Sequence, residues 1–387
     1  MLASLTGTSD EHKTGARIFR DAECVFQFQK AMRFTDDTQI AILDSMRVPG
    51  GRKLPTPLWQ ALQNTELTDA QPDVPADWYH TCYCWSVTSM ASFLVARRLA
   101  TEAKQTLFYV QAIDQPLIVS MRTSHRDFHL ELLRVPSLGA TKRLPGVALF
   151  HWGMRMRLTT TIQQSFAVQD VECKVVGFEP DPSDLACKAA LLHTSGVSGE
   201  FQCTRMPKAI YVKLDDCEHQ FLPPGACHTH RSTGHEATCQ DCLNAIQPGV
   251  FAVKPLIRKW RYYLPEDKKK YIVIVRKQFP LMPAPAVALY SMQGTTADPG
   301  MVAYWLFPQR CSDTIKWLIV YVILSRPRSL AQLKSVGLTS KVREIIEQGP
   351  PEDLVANFNK LFEGKIKTTA ELARRAAQQY GLLPGCF

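Results

Sequence analysis

Trp317-Leu-Ile-Val-Tyr-Val-Ile-Leu-Ser-Arg-Pro-Arg-Ser-Leu330 contains the longest uninterrupted apolar run of the 387-residue chain, Trp317 to Leu324, followed at once by a turn carrying two arginines. Eight residues fall far short of the ~20 that a membrane-spanning helix needs, so no transmembrane segment is expected. On apolar content alone the run suits a buried strand. At ~100 to 200 residues per domain the chain has room for two or three domains, and its 45% hydrophobic content is ample for their cores. The opening MLASLTGTSDEHKTG turns polar before an apolar core of ~7 residues forms. Export is therefore not expected, and the chain is placed inside the cell, in nucleus or cytoplasm.

Upstream of that run the pattern changes twice. Residues 18 to 120 read as mixed α/β: Ile18 to Met32 and Asp36 to Met46 look helical, Pro49-Gly50-Gly51 ends the second helix, Trp85 to Lys104 resumes a helical pattern, and Thr106 to Gln111 reads as a buried strand. Residues 144 to 280 carry short β-rich pieces at Val147 to Leu158, Val171 to Phe178, Ala209 to Leu214, Val250 to Lys254 and Tyr271 to Arg276. Turn signals separate them, as in a small barrel or sandwich. From Leu281 the mixed pattern returns, and the tail from Thr339 is helical, broken at Pro350-Pro351, with a capping box at Thr368-Thr-Ala-Glu371.

Twelve cysteines are too dilute for a disulfide scaffold, and clustered thiols in a reducing compartment more often mean metal. Eight Cys and His residues fall in the 26 positions 217–242, where the chain's 12 Cys and 10 His would place about 1.5 by chance. The best-spaced set is Cys227-x-x-His230 and Cys239-x-x-Cys242, two short chelating pairs joined by a loop, which suits a closed tetrahedral zinc site. His235-Glu236-Ala-Thr-Cys239 imitates a metalloprotease helix but ends in Cys, and Gly234 argues against a helix. Glu236 directly follows His235, and Thr238 stands where the nucleic-acid deaminase signature requires Pro. A structural zinc is the reading retained. Cys24, Cys82, Cys84 and Cys311 have no metal-like spacing and read as core thiols.

The formal charge is +9, and from Arg258 to Lys277 eight basic residues face only Glu266 and Asp267. Arg258, Lys259, Arg261, Lys268, Lys269 and Lys270 alternate there with Trp260, Tyr262, Tyr263 and Tyr271, a mixture that neutralises phosphates and stacks bases. A charged strand pair with one solvated face has the same composition.

The chain has no Gly-x-x-x-x-Gly-Lys-Ser/Thr phosphate loop and no Gly-x-Ser-x-Gly esterase elbow. Two segments nevertheless resemble parts of superfamily 1B DNA helicases of the RecD-like, petite-integration-frequency type. Gln278-Phe-Pro-Leu-Met-Pro-Ala-Pro-Ala-Val-Ala-Leu-Tyr-Ser-Met-Gln293-Gly294-Thr-Thr296 is similar to their fifth motif, with Tyr290 where His is usual and Met292 where a small residue is. Tyr321-Val-Ile-Leu-Ser325-Arg326-Pro-Arg328-Ser329-Leu330 is similar to their sixth, and Met32-Arg33-Phe-Thr-Asp36-Asp37 to their fourth. Gly153-Met154-Arg-Met-Arg-Leu158 with Lys174-Val-Val-Gly177-Phe resembles the start of their β insert. The likeness runs from Ala22 to Leu333.

That resemblance implies an α/β protein: a RecA-like second motor lobe formed by 1–143 and 281–338, split by a β-rich SH3-like insert at 144–280 that carries the zinc loop 217–242, and followed by a helical tail at 339–387. It implies that Trp317 to Leu324 is a core helix leading into the arginine turn. Arg326 and Arg33 would contact ATP, where guanidinium charge offsets the charge developing during phosphoryl transfer. Gln293, Gly294 and Thr296 would line the nucleotide cleft and couple it to the strand. ATP and magnesium are expected only with a separate first lobe, and the partner is DNA, single-stranded by expectation. The chain would be a fragment, transposon-derived or half of a split motor, inactive as an ATPase alone. The rival reading is a zinc-stabilised nucleic-acid-binding module with no motor activity.

If Cys227, His230, Cys239 and Cys242 close a site, purified protein holds about one zinc per chain, lost in a Cys239→Ser, Cys242→Ser double variant. Elemental analysis of protein prepared without chelator decides it, and zinc unchanged in that variant would refute the ligand set.

Overall fold

The computed structural model describes residues 34–67, 74–75, 77–117, 126–136, 138–192, 199–215, 217–221, 248–264, 269–292, 295–308 and 311–356, with isolated positions between 359 and 375. In chain order the elements begin with α1 (Asp37–Met46), α2 (Thr56–Gln63), β1 (Tyr79–Cys82), α3 (Trp85–Glu102), β2 (Thr106–Gln111), β3 (Ile113–Pro116) and α4 (Arg126–Leu133). Then come β4 (Val147–Phe150), β5 (Arg155–Leu158), β6 (Glu172–Glu179), α5 (Leu185–Leu192), β7 (Gly199–Gln202), β8 (Ala209–Leu214) and β9 (Val250–Val253). The last are β10 (Leu256–Tyr263), β11 (Tyr271–Gln278), β12 (Leu281–Pro283), β13 (Ala286–Ala288), β14 (Met301–Tyr304), α6 (Asp313–Leu324), β15 (Leu333–Val336) and α7 (Ser340–Gln348). The chain is mixed α/β and divides into two compact units, Met1–Leu67 with Phe307–Phe387, and Thr68–Leu306.

In the first unit the apolar run is helix α6. Ser312 caps it by accepting the Ile315 amide at 3.3 Å, and Asp313 adds negative charge to the first turn, where the helix dipole favours it. Asp36 caps α1 in the same way, its Oδ1 accepting the Thr38 amide at 2.9 Å. Helices α1, α6 and α7 pack on one another, burying Ile42, Leu43 and Met46 with Val320, Ile323, Val342 and Ile346. Trp317 seals this core, donating Nε1–H to the Met46 carbonyl at 3.2 Å. Helix α7, the first of the expected tail, thus belongs to this unit, because Val342, Ile345 and Ile346 form one apolar stripe. Its end is shaped by glycine: at Gly51, with φ +81°, a Cβ would run into the Glu347 carbonyl oxygen, so only glycine lets the two segments approach.

The second unit holds a short parallel arrangement, two antiparallel sheets and one mixed three-stranded sheet. Strand β1 runs parallel to both β13 and β14, with His80 opposite Ala286 and Val302. Helix α3 follows β1 and buries Thr88, Ala91, Ser92, Val95, Ala96 and Ala100. A five-stranded sheet has the order β12-β5-β6-β8-β9, and β2 lies between β4 and β7. Their shared core centres on Phe108, Phe150 and Phe178, whose ring centroids are 5.0 to 5.9 Å apart. The β-rich pieces expected from the sequence are strands, with two refinements. Val147 to Leu158 is two strands separated by a turn at Gly153, which has φ +79°. Helix α5 also interrupts the β run.

Strands β10 and β11 form a hairpin-like antiparallel pair that β3 extends, in the order β10-β11-β3. Its inner face is held by an ion pair. Arg276 Nε and Nη2 donate to the two carboxylate oxygens of Asp114 at 2.8 and 2.7 Å, and both side chains are wholly buried. Nη1 and Nη2 also reach the carbonyls of Leu144 and Leu132, at 3.2 and 2.7 Å. Four donor contacts around one guanidinium satisfy the group that burial would otherwise penalise heavily.

Arg276→Met leaves Asp114 charged and unpaired in the interior and is expected to destabilise the protein by about 3–5 kcal/mol. The double variant Arg276→Met, Asp114→Leu recovers most of that loss, because no charge is left buried. Urea unfolding followed by tryptophan fluorescence measures both, and equal stability of the single and double variants would contradict the account.

Candidate functional site

Strand alternation sorts the basic and aromatic segment onto two faces. The register pairs Tyr263 with Tyr271, Arg261 with Val273, Lys259 with Val275 and Ile257 with Lys277, and β3 adds Gln115 beside Val275 and Ile113 beside Lys277. These ten residues share the outer face. It carries three cations and no carboxylate. Ile257, Tyr263, Tyr271 and Ile113 are 60, 51, 44 and 41% exposed. The Tyr263 and Tyr271 rings meet at 5.8 Å with planes 60° apart, and the Arg261 guanidinium lies 4.7 Å over the Tyr271 ring. Cation–π contact of this kind holds the ring and the charge together at the surface.

The opposite face carries Trp260, Tyr262 and Arg276, and here the sequence reading needs correction. Trp260 is 2% exposed, packed with Leu132 and Ile274 and lying 5.0 Å from the Arg276 guanidinium. A ring so enclosed offers no face to a base. Tyr262 is half-buried, with its hydroxyl on Glu131 at 2.9 Å and its ring edge-on to Phe128. Arg276, counted in the local charge excess, is neutralised by Asp114 in the interior. Arg258, on the inner-face register, is exposed, as are Lys269 and Lys270 where the chain enters β11. Lys268 lies outside the described residues. The stacking candidates are Tyr263 and Tyr271, and a period of two applied from Trp260 onward finds them.

Arg326 stands at the C-terminal end of α6, half-buried, with Nε and Nη2 donating to Ser325 Oγ at 3.3 and 2.9 Å. The turn is held from α1. Buried Gln39 donates Nε2–H to the carbonyls of Leu324 and Pro327 at 2.7 and 3.0 Å, Asp36 Oδ2 accepts the Leu330 amide at 2.9 Å, and the Thr35 amide donates to the Arg328 carbonyl at 3.0 Å. Thr35 and Asp36 of the fourth-motif resemblance, with Gln39 beyond it, thus support the arginine turn of the sixth. An arginine on so fixed a turn suits recognition of a phosphate by its planar fork. Arg33, Gln293 and Gly294 lie outside the described residues. Thr296 is a half-buried loop residue in the second unit, its carbonyl accepting the Asp298 amide at 3.1 Å.

Cys227, His230, Cys239 and Cys242 also lie outside the described residues. The described start of that cluster is aromatic packing: His219 lies against Phe166 and Phe221, at 5.8 and 4.5 Å between centroids. The His219 carbonyl accepts the Gly249 amide at 2.8 Å, which brings the two ends of the intervening segment together. Among the presumed core thiols Cys82 is buried, whereas Cys84 and Cys311 are half-buried, and Cys24 lies outside the described residues. Cys84 precedes α3, and its hydrogen bond with Ser86 lowers its thiol from the ordinary value.

Strand β1 carries three perturbed groups, one of them the Cys82 thiol, which burial pushes up. Burial, reinforced by Arg98, pushes His80 down to about 4, while its Nδ1 sits 3.1 Å from the Tyr304 hydroxyl. Burial and the neighbouring Glu172 carboxylate raise the Tyr79 phenol, which donates to Glu172 at 3.0 Å. Arg155 pairs with the same carboxylate.

No family model matches the sequence, and no curated protein does. Solved structures similar to it include the Pif1 helicase from Candida albicans, at 16% identity and TM-score 0.47 over 86% of this chain and 60% of that one. Bacteroides Pif1 bound to ssDNA is 12% identical at TM-score 0.47, over 93% of this chain and 64% of that one. The Bacteroides Pif1 complex with ADP-AlF3 and ssDNA is 13% identical at TM-score 0.46, over 92% and 64%. The chain spans about 60% of the length of these helicase chains. Likeness this remote, below a TM-score of 0.5, carries no functional conclusion. Among the described residues no helix is long and apolar enough to cross a membrane.

The depressed His80 has a consequence for stability. Below its ordinary value of 6.5 the unfolded chain takes up a proton that the native His80 refuses until about pH 4, so stability falls as pH drops across that window. The loss attributable to this residue is about 3 kcal/mol at the acid end. His151, also lowered by burial, contributes with the same sign, so the parent must be compared with His80→Asn. Identical pH–stability curves for the two would show that His80 is not the group responsible.

Proposed function

We propose that this chain binds single-stranded DNA through the outer face of the β10-β11-β3 sheet, within the second lobe of a helicase-type motor that supplies Arg326 to ATP held by a separate first lobe. The observation that carries the strand-binding part is the acid-free face itself: Lys259, Arg261 and Lys277 beside the exposed rings of Tyr263 and Tyr271. Cations at strand spacing neutralise successive phosphates and release counterions, while the rings stack on bases of any identity. The inner face is packed around Trp260, Ile274 and Arg276, which leaves the outer face as the broad surface the sheet offers.

The motor part rests on the likeness of residues 278–296 and 321–330 to helicase motifs and on the support that Gln39 and Asp36 give the arginine turn. In this reading the parts at 144–280 correspond to an SH3-like insert with a structural zinc loop at 217–242. ATP with magnesium supplies the phosphoryl group that is transferred to water. This chain's contribution is the Arg326 guanidinium, positioned by α1 to meet phosphate oxygens as their charge grows. Thr296 stands in the loop between β13 and β14, where it would relay nucleotide contact to the strand-binding unit. The alternative, a zinc-stabilised binding module in which the motor likeness is scaffold, differs only in this step.

The strand-binding reading is tested by salt dependence. The triple variant Lys259→Gln, Arg261→Gln, Lys277→Gln is expected to shallow the slope of log affinity against log salt by roughly 0.7 per lost phosphate contact. Tyr263→Ala or Tyr271→Ala weakens binding by ~1–3 kcal/mol per stacked base and leaves the slope unchanged. Trp260→Ala, in contrast, lowers stability. A folded triple variant with the parent's affinity and slope would overturn the assignment. For the motor part, the isolated chain is expected to show no ATP turnover above background, and a supplied first lobe should restore turnover that Arg326→Ala abolishes. Turnover by the isolated chain, or Arg326→Ala without effect in the reconstituted pair, would refute it.

A further inference from the structure

A cleft of about 500 Å³ opens beside the outer face of the β10-β11-β3 sheet, between the end of β2 with β3 on one side and the segment 202–206 after β7 on the other. Lys277 and Gln115 belong to both, so the face runs into the cleft without a break. Three glutamines, Gln111, Gln115 and Gln202, line it together with Thr204 and Arg205. The rim is built rather than loose. The buried carboxylate of Asp184 accepts the amides of Thr204 and Arg205, each at 3.0 Å, and that of Cys187 at 3.0 Å, which ties the 202–206 segment to α5.

The polar chemistry selects the ligand. Asp114 lines the cleft, but its carboxylate is occupied by Arg276, and Asp181 accepts its own neighbour Ser183. Asp181 is then the carboxylate felt by Arg205, so Arg205 and Lys277 together face one acidic side chain and the cleft stays net positive, a setting that accepts a phosphate. A glutamine amide presents a donor and an acceptor side by side, the pairing that base edges require and that phosphate or sugar alone does not. The volume falls within the ordinary range for small-ligand pockets.

We propose that this cleft is a base-reading pocket that takes one nucleotide of the strand lying across the sheet. Its phosphate sits between Lys277 and Arg205, and its base edge faces the amides of Gln115, Gln202 and Gln111. The proposal rests on the strand-binding reading above and adds to it a preference among bases, which cations and stacked rings do not supply.

The test uses the full chain and homopolymeric oligonucleotides of dT, dC and dA. Affinities are expected to differ by about fivefold or more between the best and worst, the discrimination of one good base contact. Gln115→Ala, Gln202→Ala levels them and leaves the salt slope as it was. Strands carrying 4-thiothymidine should crosslink on irradiation to peptides containing 202–206. Equal affinities for all three with no crosslink in that segment would overturn the pocket while a normal salt slope left the sheet face standing. Crosslinks to 202–206 that persist, with an unchanged salt slope, when Lys259 and Arg261 are both Gln would support the pocket and refute the face. Failure of the parent to bind any strand would remove both. Circular dichroism of each variant confirms that it is folded.

Discussion

The architecture around the sheet face depends on the buried pairing of Arg276 with Asp114. An arginine placed opposite an aspartate on adjacent strands brings two charges into a region that water does not reach, and the cost is offset because each guanidinium nitrogen donates to a fixed acceptor. Asp114 takes two donors, the carbonyls of Leu132 and Leu144 take others, and the Trp260 ring covers the plane. Such a pair tolerates little rotation. It therefore fixes which face of β11 points inward, and the outward direction of Tyr271, Val275 and Lys277 follows from the pleat.

The first unit of the chain fixes its arginine turn with a buried amide and a capping carboxylate. Gln39 is buried, with its amide nitrogen on two carbonyls at the end of α6, where the helix leaves carbonyls without internal partners. Asp36 divides its carboxylate between capping α1 and receiving Leu330. One short stretch thus starts a helix and shapes the turn that carries Arg326. The Arg326 guanidinium is carried on a backbone held from outside its own helix.

The helical and strand periods were legible in the sequence where patterns were long or capped: Asp36 to Met46, Trp85 to Lys104, Thr106 to Gln111 and most of the β pieces are as read. Trp317 to Leu324 was ambiguous because a fully apolar run has no period, and the Ser312 cap together with packing on α1 makes it a helix. Composition misled at Trp260 and Tyr262. They sit among arginines and lysines in the chain, yet the alternation places them with Leu132, Phe128 and Ile274. The pocket beside the sheet was not legible at all, since Gln111, Gln115, Gln202 and Arg205 are spread over three segments and none is unusual where it stands.

The sequence by itself determined the class of this protein, mixed α/β with a basic, aromatic strand pair and a Cys/His-rich loop, because periodicity, charge and residue spacing are local properties. It also determined that the segments around Gln278 to Thr296 and Tyr321 to Leu330 are similar to helicase motifs. Only the tertiary structure decided which cations and rings reach solvent. Facing depends on what packs against the other side of the sheet, and here that is α4 and the Arg276–Asp114 pair, brought together from positions 162 residues apart.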